Sequence, residues 1–301
     1  MENKIEMDLL KDFAELSADF LEHYGFACPA VTNPKEVLFK SLSFKHRLIP
    51  IIPRVIHKPT GFVCPPQYED ALASLEPKIT DGEDLFPYQS RKIIDVNYKD
   101  RLLNDWGIQH LHLGTEMEVS RPLIKGTSEV LFIYFQGSNA YFITIAAHDT
   151  WTDQDMIRVL HDNFPNSIES WRPNDVVGLT HAPSDSEVRT LRKAGINSAL
   201  EIYPGVVYLG PGGGLASDGT SMQVSREVIG YVHMLRDMEK QIRETETDIR
   251  NLISDSTRPV PEILKFKLML DGSRHVIIET TTDIVVYESI TLKSFPIQAR
   301  V

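Results

Sequence analysis

Three histidines stand on or beside segments that have the residue pattern of β-strands. His110 and His112 lie in the stretch HLHLG, and His148 ends the run YFITIAAH. Side chains two residues apart on a strand point to the same face, so His110 and His112 project together, away from Leu111 and Leu113. If both segments belong to one antiparallel sheet, His148 comes within reach of this pair. The spacing therefore predicts that the three imidazoles meet in one site.

Such a site has the groups that cleavage of RNA by its own 2′-hydroxyl requires. The reaction needs a base for the hydroxyl proton, an acid for the leaving 5′-oxygen and a cation for the charge of the phosphorane. Imidazole titrates near neutral pH and serves as either the base or the acid. Arg121, Lys125 or Arg101 can supply the positive charge. This chemistry requires no metal and no other cofactor.

Two other interpretations of the histidines stay open. His110, His112 and His148, together with Asp149, can form a metal site, because alternate side chains of a strand converge on one ion. No further carboxylate is placed as well as these groups. Alternatively, the pair on the strand faces solvent from a half-exposed sheet. Hydrolysis by a Ser/His/Asp triad is disfavoured, because the chain has no GxSxG nucleophile motif.

The segments around the histidines predict a compact module. NYKDRLLNDWG has the pattern of a short helix that ends at Gly107, and IQHLHLG follows as a strand. The runs EVLFIYF and AYFITIAAH are rich in Val, Ile, Phe and Tyr, and with QGSN between them they predict a hairpin. Apolar spacing in DQDMIRVLHDNF predicts a helix, with Thr152 or Asp153 as its cap.

The order DWG-x-x-HLHL, then LFIYF, then YFITIAAHDTW resembles the core of RelE/YafQ-type ribonuclease toxins. In that family a strand that bears a histidine leads to an apolar strand, and a further strand ends in a histidine. The resemblance covers residues 101–155 and implies that His112 matches the strand histidine, His148 the terminal one and Asp149 an acidic neighbour. This chain is longer and more acidic than the toxins, and SRPLIKGTS is inserted between the strands. A RelE-like sheet reused for binding or scaffolding is therefore an alternative.

The glycine-rich stretch LGPGGGLASDGTS lies between a predicted strand and a predicted long helix. Its position suggests an anion-binding loop at a helix N-terminus. It contains neither a GK[ST] P-loop ending nor a GxGxxG motif. It can be a ligand-binding loop or a loop that needs positive φ angles. The candidate ligand-binding residues are Gly212, Gly213, Gly214, Ser217 and Thr220.

The chain as a whole predicts an α+β fold with a central antiparallel sheet. We expect an N-terminal helical and extended region at 1–90, a RelE-like α+β module at 91–165, a mixed segment with the glycine loop at 166–224, and a long helix followed by a β-meander at 225–301. The long helix, over residues 225–253, carries one apolar stripe. It is too long for one small core, so it is expected either to bridge domains or to pair with a partner helix, as in a homodimer.

Composition limits the classes of protein that fit. The 301 residues are 42% hydrophobic and 24% charged, as in ordinary globular proteins, and the formal net charge is −11. The acidic total disfavours broad nucleic-acid binding, although FKHRLIPIIPRVIHK is a basic stretch that can contact RNA. No apolar run approaches the ~20 residues of a membrane span, and the N-terminus lacks a signal-peptide pattern. For these reasons we expect a cytoplasmic protein with no membrane partner. The two cysteines, Cys28 and Cys64, form no CxxC pair and agree with a reducing compartment.

We therefore predict a metal-independent ribonuclease or a toxin-like effector of a bacterial defence or stress system, with RNA as its partner and no cofactor. Its catalytic residues are predicted to be His110, His112, Arg121, His148 and Asp149. The first alternative is a non-catalytic interaction or scaffolding protein that dimerises through residues 225–253. The second alternative is a protein that binds a metal ion through its histidines.

Overall fold

The structure is a computed structural model that describes residues 4–28, 31–271 and 274–290. The α-helices, in chain order, are α1 (Leu9–His23), α2 (Pro34–Arg47), α3 (Glu69–Asp81), α4 (Arg101–Trp106), α5 (Asp155–Asn163), α6 (Pro165–Ile168), α7 (Asp185–Lys193), α8 (Met222–Glu244) and α9 (Glu246–Asp255). The β-strands are β1 (Ile5–Glu6), β2 (Val55–His57), β3 (Ile108–His112), β4 (Glu129–Gln136), β5 (Asn139–Ala147), β6 (Leu200–Tyr203), β7 (Val206–Tyr208), β8 (Leu264–Asp271), β9 (Arg274–Glu279) and β10 (Ile284–Ile290). Helices together with mixed sheets confirm the α+β class.

The chain forms two compact units. One, which we call the split unit, is built from residues 1–42 and 224–301, and the other, the histidine unit, from residues 43–223. This division differs from the predicted boundaries, because residues 43–90 belong with the sheet that carries the histidines. The reason is a long-range pairing: β2 lies parallel to β5, with Val55 opposite Asn139. Local sequence patterns do not reveal such a pairing.

The sheet of the histidine unit has the strand order β2-β5-β4-β3. Its strands β3, β4 and β5 are antiparallel neighbours, as predicted, whereas β2 makes the sheet mixed. One face packs around Trp106 and Phe132 and is covered by α5, while the other packs around Leu111 and Phe142 and is covered by α3. Because both faces are covered, a polar side chain within this sheet needs a specific reason to be there.

Two glycines set the ends of the elements that carry the site. Helix α4 ends at Gly107, which has φ +71° and donates its amide to the carbonyl of Leu103. Strand β3 begins at the next residue. Gly137, with φ +55°, forms the two-residue turn between β4 and β5, where Gln136 pairs with Asn139. Both conformations are readily accessible to glycine, and they confirm the predicted helix end and hairpin.

The split unit contains a second sheet, with the strand order β1-β8-β9-β10. Strand β1 pairs with β8 in parallel, with Ile5 opposite Leu264, and β8 to β10 form the predicted antiparallel meander. Along β8, buried side chains such as Phe266 and Leu268 alternate with exposed lysines. One face of this strand therefore packs into the unit, where α1 contacts it.

The predicted single helix over residues 225–253 is in fact two helices. Helix α8 ends at Glu244 and α9 begins at Glu246, with Thr245 at φ −101° and ψ 17° between them. The Thr245 hydroxyl donates to the carbonyl of Gln241 at 2.9 Å, a local bond that commonly accompanies helix bending. The apolar stripe of α8, including Val228 and Leu235, is buried within the chain. Among the described helices, none combines the length and apolar character that crossing a membrane requires.

Candidate functional site

Three imidazoles meet at one end of the sheet in the histidine unit. The ring centroids lie 4.6 Å apart for His110 and His148, 5.7 Å for His112 and His148, and 6.2 Å for His110 and His112. One nitrogen from each ring can be chosen so that all three lie within 4.8 Å of one another. The structure therefore brings the three histidines together. We call them the histidine cluster.

The strand register explains why the cluster forms. His112 lies opposite Val130 of β4, and Val130 lies opposite Ala146 of β5. His148 follows Ala146 by two residues, so it continues the same face of the sheet just beyond the end of β5. His110 shares this face with His112. The pairing of β3 with the hairpin β4–β5 thus brings His110 and His112 close to His148, although these residues are far apart in sequence.

Burial sets the charge of two members of the cluster. Only 6% of His112 is exposed to solvent, so the interpretation of a solvent-facing pair is wrong. Burial, with a smaller contribution from the neighbouring His148, lowers the pKa of His110 to about 4. Burial likewise lowers the pKa of His112 to about 4, with additional repulsion from His110 and His148. Both imidazoles are therefore neutral at pH 7.

The rings of His110 and His112 differ in their hydrogen-bond partners. The backbone N–H of Thr127 donates to Nδ1 of His112 at 3.0 Å, and the Thr127 hydroxyl oxygen lies 3.4 Å from the same nitrogen. That hydroxyl donates its own hydrogen to the carbonyl of Glu129 at 2.6 Å. By contrast, Nε2 of His110 is buried without a hydrogen-bond partner among the described residues. Because buried polar atoms are rarely left unpaired, Nε2 of His110 is a candidate ligand-binding atom.

A cavity of about 400 Å³ lies beside the cluster and is lined by His110, His148 and Asp149. The rest of its lining consists of Tyr98, Lys99, Asp100, Arg101, Leu102, Phe132 and Trp151. Sites for small molecules have volumes in this range. The cluster can therefore be reached by a ligand rather than being sealed in a dry core.

Helix α7 holds the loop that follows His148. Arg189 donates to the carbonyl of Asp149 at 2.7 Å, and its guanidinium lies 5.3 Å from the ring of Trp151. Arg192 donates to the carbonyl of Trp151 and forms an ion pair with Asp105 of α4 at 2.8 Å. The side chains of this pair are 1% and 4% exposed. The buried pair therefore links α4, which precedes β3, to the loop that contributes His148, Asp149 and Trp151 to the lining of the cavity.

Arg121, the predicted catalytic cation, does not line the cavity. Its guanidinium lies 3.8 Å from Glu118 and its side chain is 43% exposed. Lys125, another candidate, is paired with Glu116. Arg101 is the candidate cation that does line the cavity. The sequence could not distinguish these three, because it does not show which loop folds over the end of the sheet.

The glycine loop packs against α4. The amides of Gly212 and Gly214 donate to the carbonyls of Asp105 and Asn104 at 2.8 and 3.0 Å, and the amide of Gly213 donates within the loop. A Cβ atom on Gly212 would approach a carbonyl oxygen of α4 to 2.3 Å, so only glycine allows this approach. The three amides are therefore used by the fold and are not free to bind an anion.

The end of the same loop reaches the cavity indirectly. The hydroxyl of Thr220 donates to Asp218 at 2.6 Å, and Asp218 forms an ion pair with Lys99 of the cavity wall at 3.2 Å. The carbonyl of Ser217 instead lies against Gly195, where a Cβ would be only 2.4 Å away. Neither Ser217 nor Thr220 is among the residues that line the cavity. The loop thus orients a lysine of the wall.

Sequence patterns missed Thr127, Arg192 and Asp105. Thr127 lies in a segment whose sequence pattern indicates neither a helix nor a strand. A single Ser or Thr residue beside a strand does not by itself indicate a functional role. Arg192 reads as an ordinary basic residue in the last turn of a helix. A hint existed for Asp105, because an acidic residue in the short motif DWG sits where α4 must turn back into the core.

The fold and the site together define an α+β protein in which three histidines meet at the end of a mixed sheet and two of them, His110 and His148, line a cavity. No family model matches the sequence, and neither a curated protein nor a solved structure matches the chain. The resemblance to RelE/YafQ-type toxins therefore stays a prediction. The function has to be inferred from the side chains of the site.

Proposed function

We propose that the histidine cluster binds a divalent transition-metal ion of the zinc class, and that the chain is a metal-dependent enzyme that acts in the adjacent cavity. The observation that carries this proposal is the approach of one nitrogen from each of His110, His112 and His148 to within 4.8 Å of the others, at the wall of a cavity of about 400 Å³. Three protein ligands leave a fourth position for water or substrate, the arrangement of catalytic rather than structural zinc sites.

The chemical state of the rings supports this proposal. Zinc, copper, iron and nickel bind the neutral form of imidazole through a nitrogen lone pair. Burial lowers the pKa of His110 and of His112 to about 4, so at neutral pH each ring is uncharged and has one nitrogen with a lone pair. The chemistry that a three-ligand zinc ion supplies is a bound water with a pKa near about 7.

The cluster must contract slightly around an ion. Zinc–nitrogen bonds of about 2.0–2.1 Å at tetrahedral angles place ligand nitrogens roughly 3.3 Å apart, less than the upper limit of 4.8 Å found here. His148 is exposed and follows the last residue of β5, so a rotation of its side chain can close this gap. His112 is buried and held by Thr127, and it fixes the position of the site.

Thr127 controls which nitrogen of His112 is available to an ion. When its N–H donates to Nδ1, the proton of the neutral ring lies on Nε2. When Nδ1 instead carries the proton and donates to the Thr127 hydroxyl oxygen, Nε2 is free to bind metal. Metal-binding histidines usually donate their second N–H to an oxygen in this way. Because the Thr127 N–H and a protonated Nδ1 would face each other as two donors, this second state requires the N–H of Thr127 to turn away from the ring.

The test is cobalt binding to the chelator-treated full chain, followed by visible absorption and by calorimetry. We expect one Co²⁺ per chain with the absorption of a four- or five-coordinate site. His110→Ala and His148→Ala should each weaken binding by more than the about 10- to 100-fold that loss of an outer-shell partner costs. His233→Ala, which removes an exposed histidine of the split unit, is the matched control and should bind like the wild type. Equal binding by all variants would rule out this site.

A second candidate function is metal-free cleavage of RNA, the function that the RelE-like resemblance implies. It is favoured by the bond from the Thr127 N–H to Nδ1 of His112, which leaves a proton on Nε2, and by Arg101 in the cavity wall. The low pKa of His110 suits a base but not an acid at neutral pH. RNA cleavage that persists in a chelator and is lost in His110→Ala would support this candidate over the metal enzyme.

We also propose a location in the cell, a biological role and an oligomeric state for the protein. We propose that the protein acts in the cytoplasm, where its two cysteines, both free in the structure, stay reduced. A toxin-like role in bacterial defence or stress predicts that expression is harmful and that His148→Ala relieves the harm. Dimerisation through residues 225–253, and with it a scaffolding role, predicts a doubled mass by light scattering.

A further inference from the structure

We propose that the cavity binds an organic oxyanion, a phosphate monoester or a carboxylate, through the guanidinium of Arg101. This proposal rests on the proposed function of the histidine cluster, and it names the charged group of the substrate. Arg101 lines the cavity together with His110 and His148. Its Nε atom is buried and has no hydrogen-bond partner among residues 4–28, 31–271 and 274–290.

Two of the charged residues that line the cavity beside Arg101, namely Lys99 and Asp100, already have partners of their own. Lys99, its neighbour in the cavity wall, is already compensated by Asp218 at 3.2 Å. The carboxylate of Asp100 accepts from the amide of Leu103 at 3.1 Å and caps α4. Within the described part of the chain no carboxylate forms an ion pair with Arg101. A guanidinium binds carboxylate and phosphate oxygens through two parallel N–H groups, so an oxyanion is the complementary ligand.

The backbone at Gly219 lies close to one side of Arg101. Gly219 adopts φ +84°, and a Cβ on it would lie 3.1 Å from Nε of Arg101. The glycine loop therefore touches the arginine closely on one side without giving it a charged partner. A guanidinium that is restrained before the ligand arrives loses less conformational entropy on binding.

The other walls indicate what is attached to the anionic group. Tyr98, Phe132 and Trp151 supply aromatic surface to the same cavity. Trp151 is itself fixed by the arginines of α7, at 5.3 and 5.5 Å from its ring. A volume of about 400 Å³ accepts a small molecule with one ring. The ligand is therefore expected to join an oxyanion to a flat apolar group.

The experiment titrates the chelator-treated full chain with phenyl phosphate and, separately, with benzoate, by calorimetry. We expect the wild type to bind at least one of them, and the preferred probe identifies the anionic group. Arg101→Gln should weaken binding about 10- to 100-fold, as expected for loss of a charge-assisted hydrogen bond, and Arg101→Lys should weaken it less. Arg226→Gln makes the same charge change at an exposed position of the split unit and should bind like the wild type.

A second measurement does not depend on whether the variants fold. In the wild type, the ¹⁵N–¹H signal of Arg101 Nε should shift as phenyl phosphate or benzoate saturates the protein. No binding of either probe, or equal binding by Arg101→Gln, would overturn the proposal. Because these titrations contain no metal, they separate the two ideas. Oxyanion binding without cobalt binding would rule out the metal site alone. Cobalt binding without oxyanion binding would rule out the role of Arg101 alone.

Discussion

The sheet β2-β5-β4-β3 is covered on both faces, whereas strand β8 of the sheet β1-β8-β9-β10 alternates buried and exposed side chains. On β8, polar residues at every second position are the expected result of facing water. In the doubly covered sheet, His110 and His112 lie on the face of β3 that packs into the core around Trp106 and Phe132. The same HxH spacing therefore carries functional information in one sheet that it would not carry in the other.

The two units also bury titratable groups of opposite kinds. In the histidine unit, burial lowers the pKa of His110 and of His112 to about 4. In the split unit, burial raises the pKa of Asp12 to about 6, against the opposing effect of the amide of Leu268, which donates to it at 2.9 Å. Asp12 caps the edge of β8 where the two-residue strand β1 no longer covers it. Acid therefore has opposite effects on the two units.

The largest expected effect comes from the buried ion pair of the histidine unit. Arg192→Met leaves Asp105 buried without its cation and should lower the free energy of unfolding by about 3–5 kcal/mol. Denaturant titration measures the loss, and hydrogen exchange should locate it in residues 43–223. The double variant Asp105→Leu/Arg192→Met should recover much of the stability. In the exposed pair Lys240–Glu244 of the split unit, Glu244→Gln should cost less than about 0.5 kcal/mol. Equal losses at both pairs would contradict this comparison.

The next effect is a pH dependence of opposite sign in the two units. A histidine with a pKa of 6.5 unfolded and about 4 folded stabilises the fold fully above pH 6.5 and loses that stabilisation as the pH falls to 4, by up to about 3 kcal/mol per residue. Asp12 has a pKa of 3.8 unfolded and about 6 folded, so its contribution is complete below pH 3.8 and is lost as the pH rises through 6. Free energies of unfolding measured between pH 4 and 6.5 therefore contain the contributions of both the histidines and Asp12.

Two variants separate these contributions to the free energy of unfolding. His110→Gln removes the contribution of one histidine, so the dependence of stability on pH should become flatter. Asp12→Asn removes the opposing contribution of Asp12 and should make the loss of stability in acid steeper, while its amide oxygen can still accept from Leu268. If both variants shift the curve in the same direction, at least one of the two pKa directions is wrong.

A smaller effect tests the role of Thr127 as a positioning residue. Thr127→Val keeps the backbone N–H but removes the hydroxyl oxygen that can accept from Nδ1 of His112. Cobalt affinity should fall about 10- to 100-fold, and Thr127→Ser should restore most of it. Unfolding measured without metal controls for a purely structural effect. If Thr127→Val binds cobalt as the wild type does, the hydroxyl does not select the tautomer.

The smallest expected effect concerns the exposed ion pair between Lys99 and Asp218. Asp218→Asn should change the free energy of unfolding by less than about 1 kcal/mol, because solvent screens the pair. It removes the carboxylate that neutralises Lys99, while the bond from the ammonium to the backbone carbonyl of residue 218, 2.8 Å long, can remain. The affinity for phenyl phosphate should therefore rise by about two- to threefold, a gain that rests on the modest strength of screened charges. A fall in affinity would mean that Asp218 itself orients the ligand site.

Local patterns predicted the elements that build the cluster. The hairpin β4–β5, the end of α4 at Gly107 and the shared face of His110 and His112 all follow from neighbouring residues. The approach of His148 follows from the hairpin register. The features that the sequence did not predict are those that involve long-range contacts. The parallel pairing of β2 with β5, the burial of His112 and the choice of Arg101 over Arg121 depend on contacts between distant segments.

The glycine loop shows why a correct local pattern can suggest the wrong role. Positive φ angles at Gly213 and Gly214 agree with the sequence, but the amides face carbonyls of the fold rather than a ligand. Similarly, the apolar spacing of residues 225–253 is helical throughout, yet the break at Thr245 arises from one backbone conformation. Spacing reports which face is apolar, and it does not report what covers that face.

The pairing of Ile5 with Leu264 has a consequence for the order of events on the ribosome. Residues 43–223 emerge as one uninterrupted stretch and can collapse around their own apolar side chains during synthesis. Strand β1, by contrast, must wait for a partner strand that is translated after residues 43–223. A truncation that stops before β8 is therefore expected to leave the nascent N-terminal helix without its docking strand, while the segment in the middle has already acquired protection from proteases.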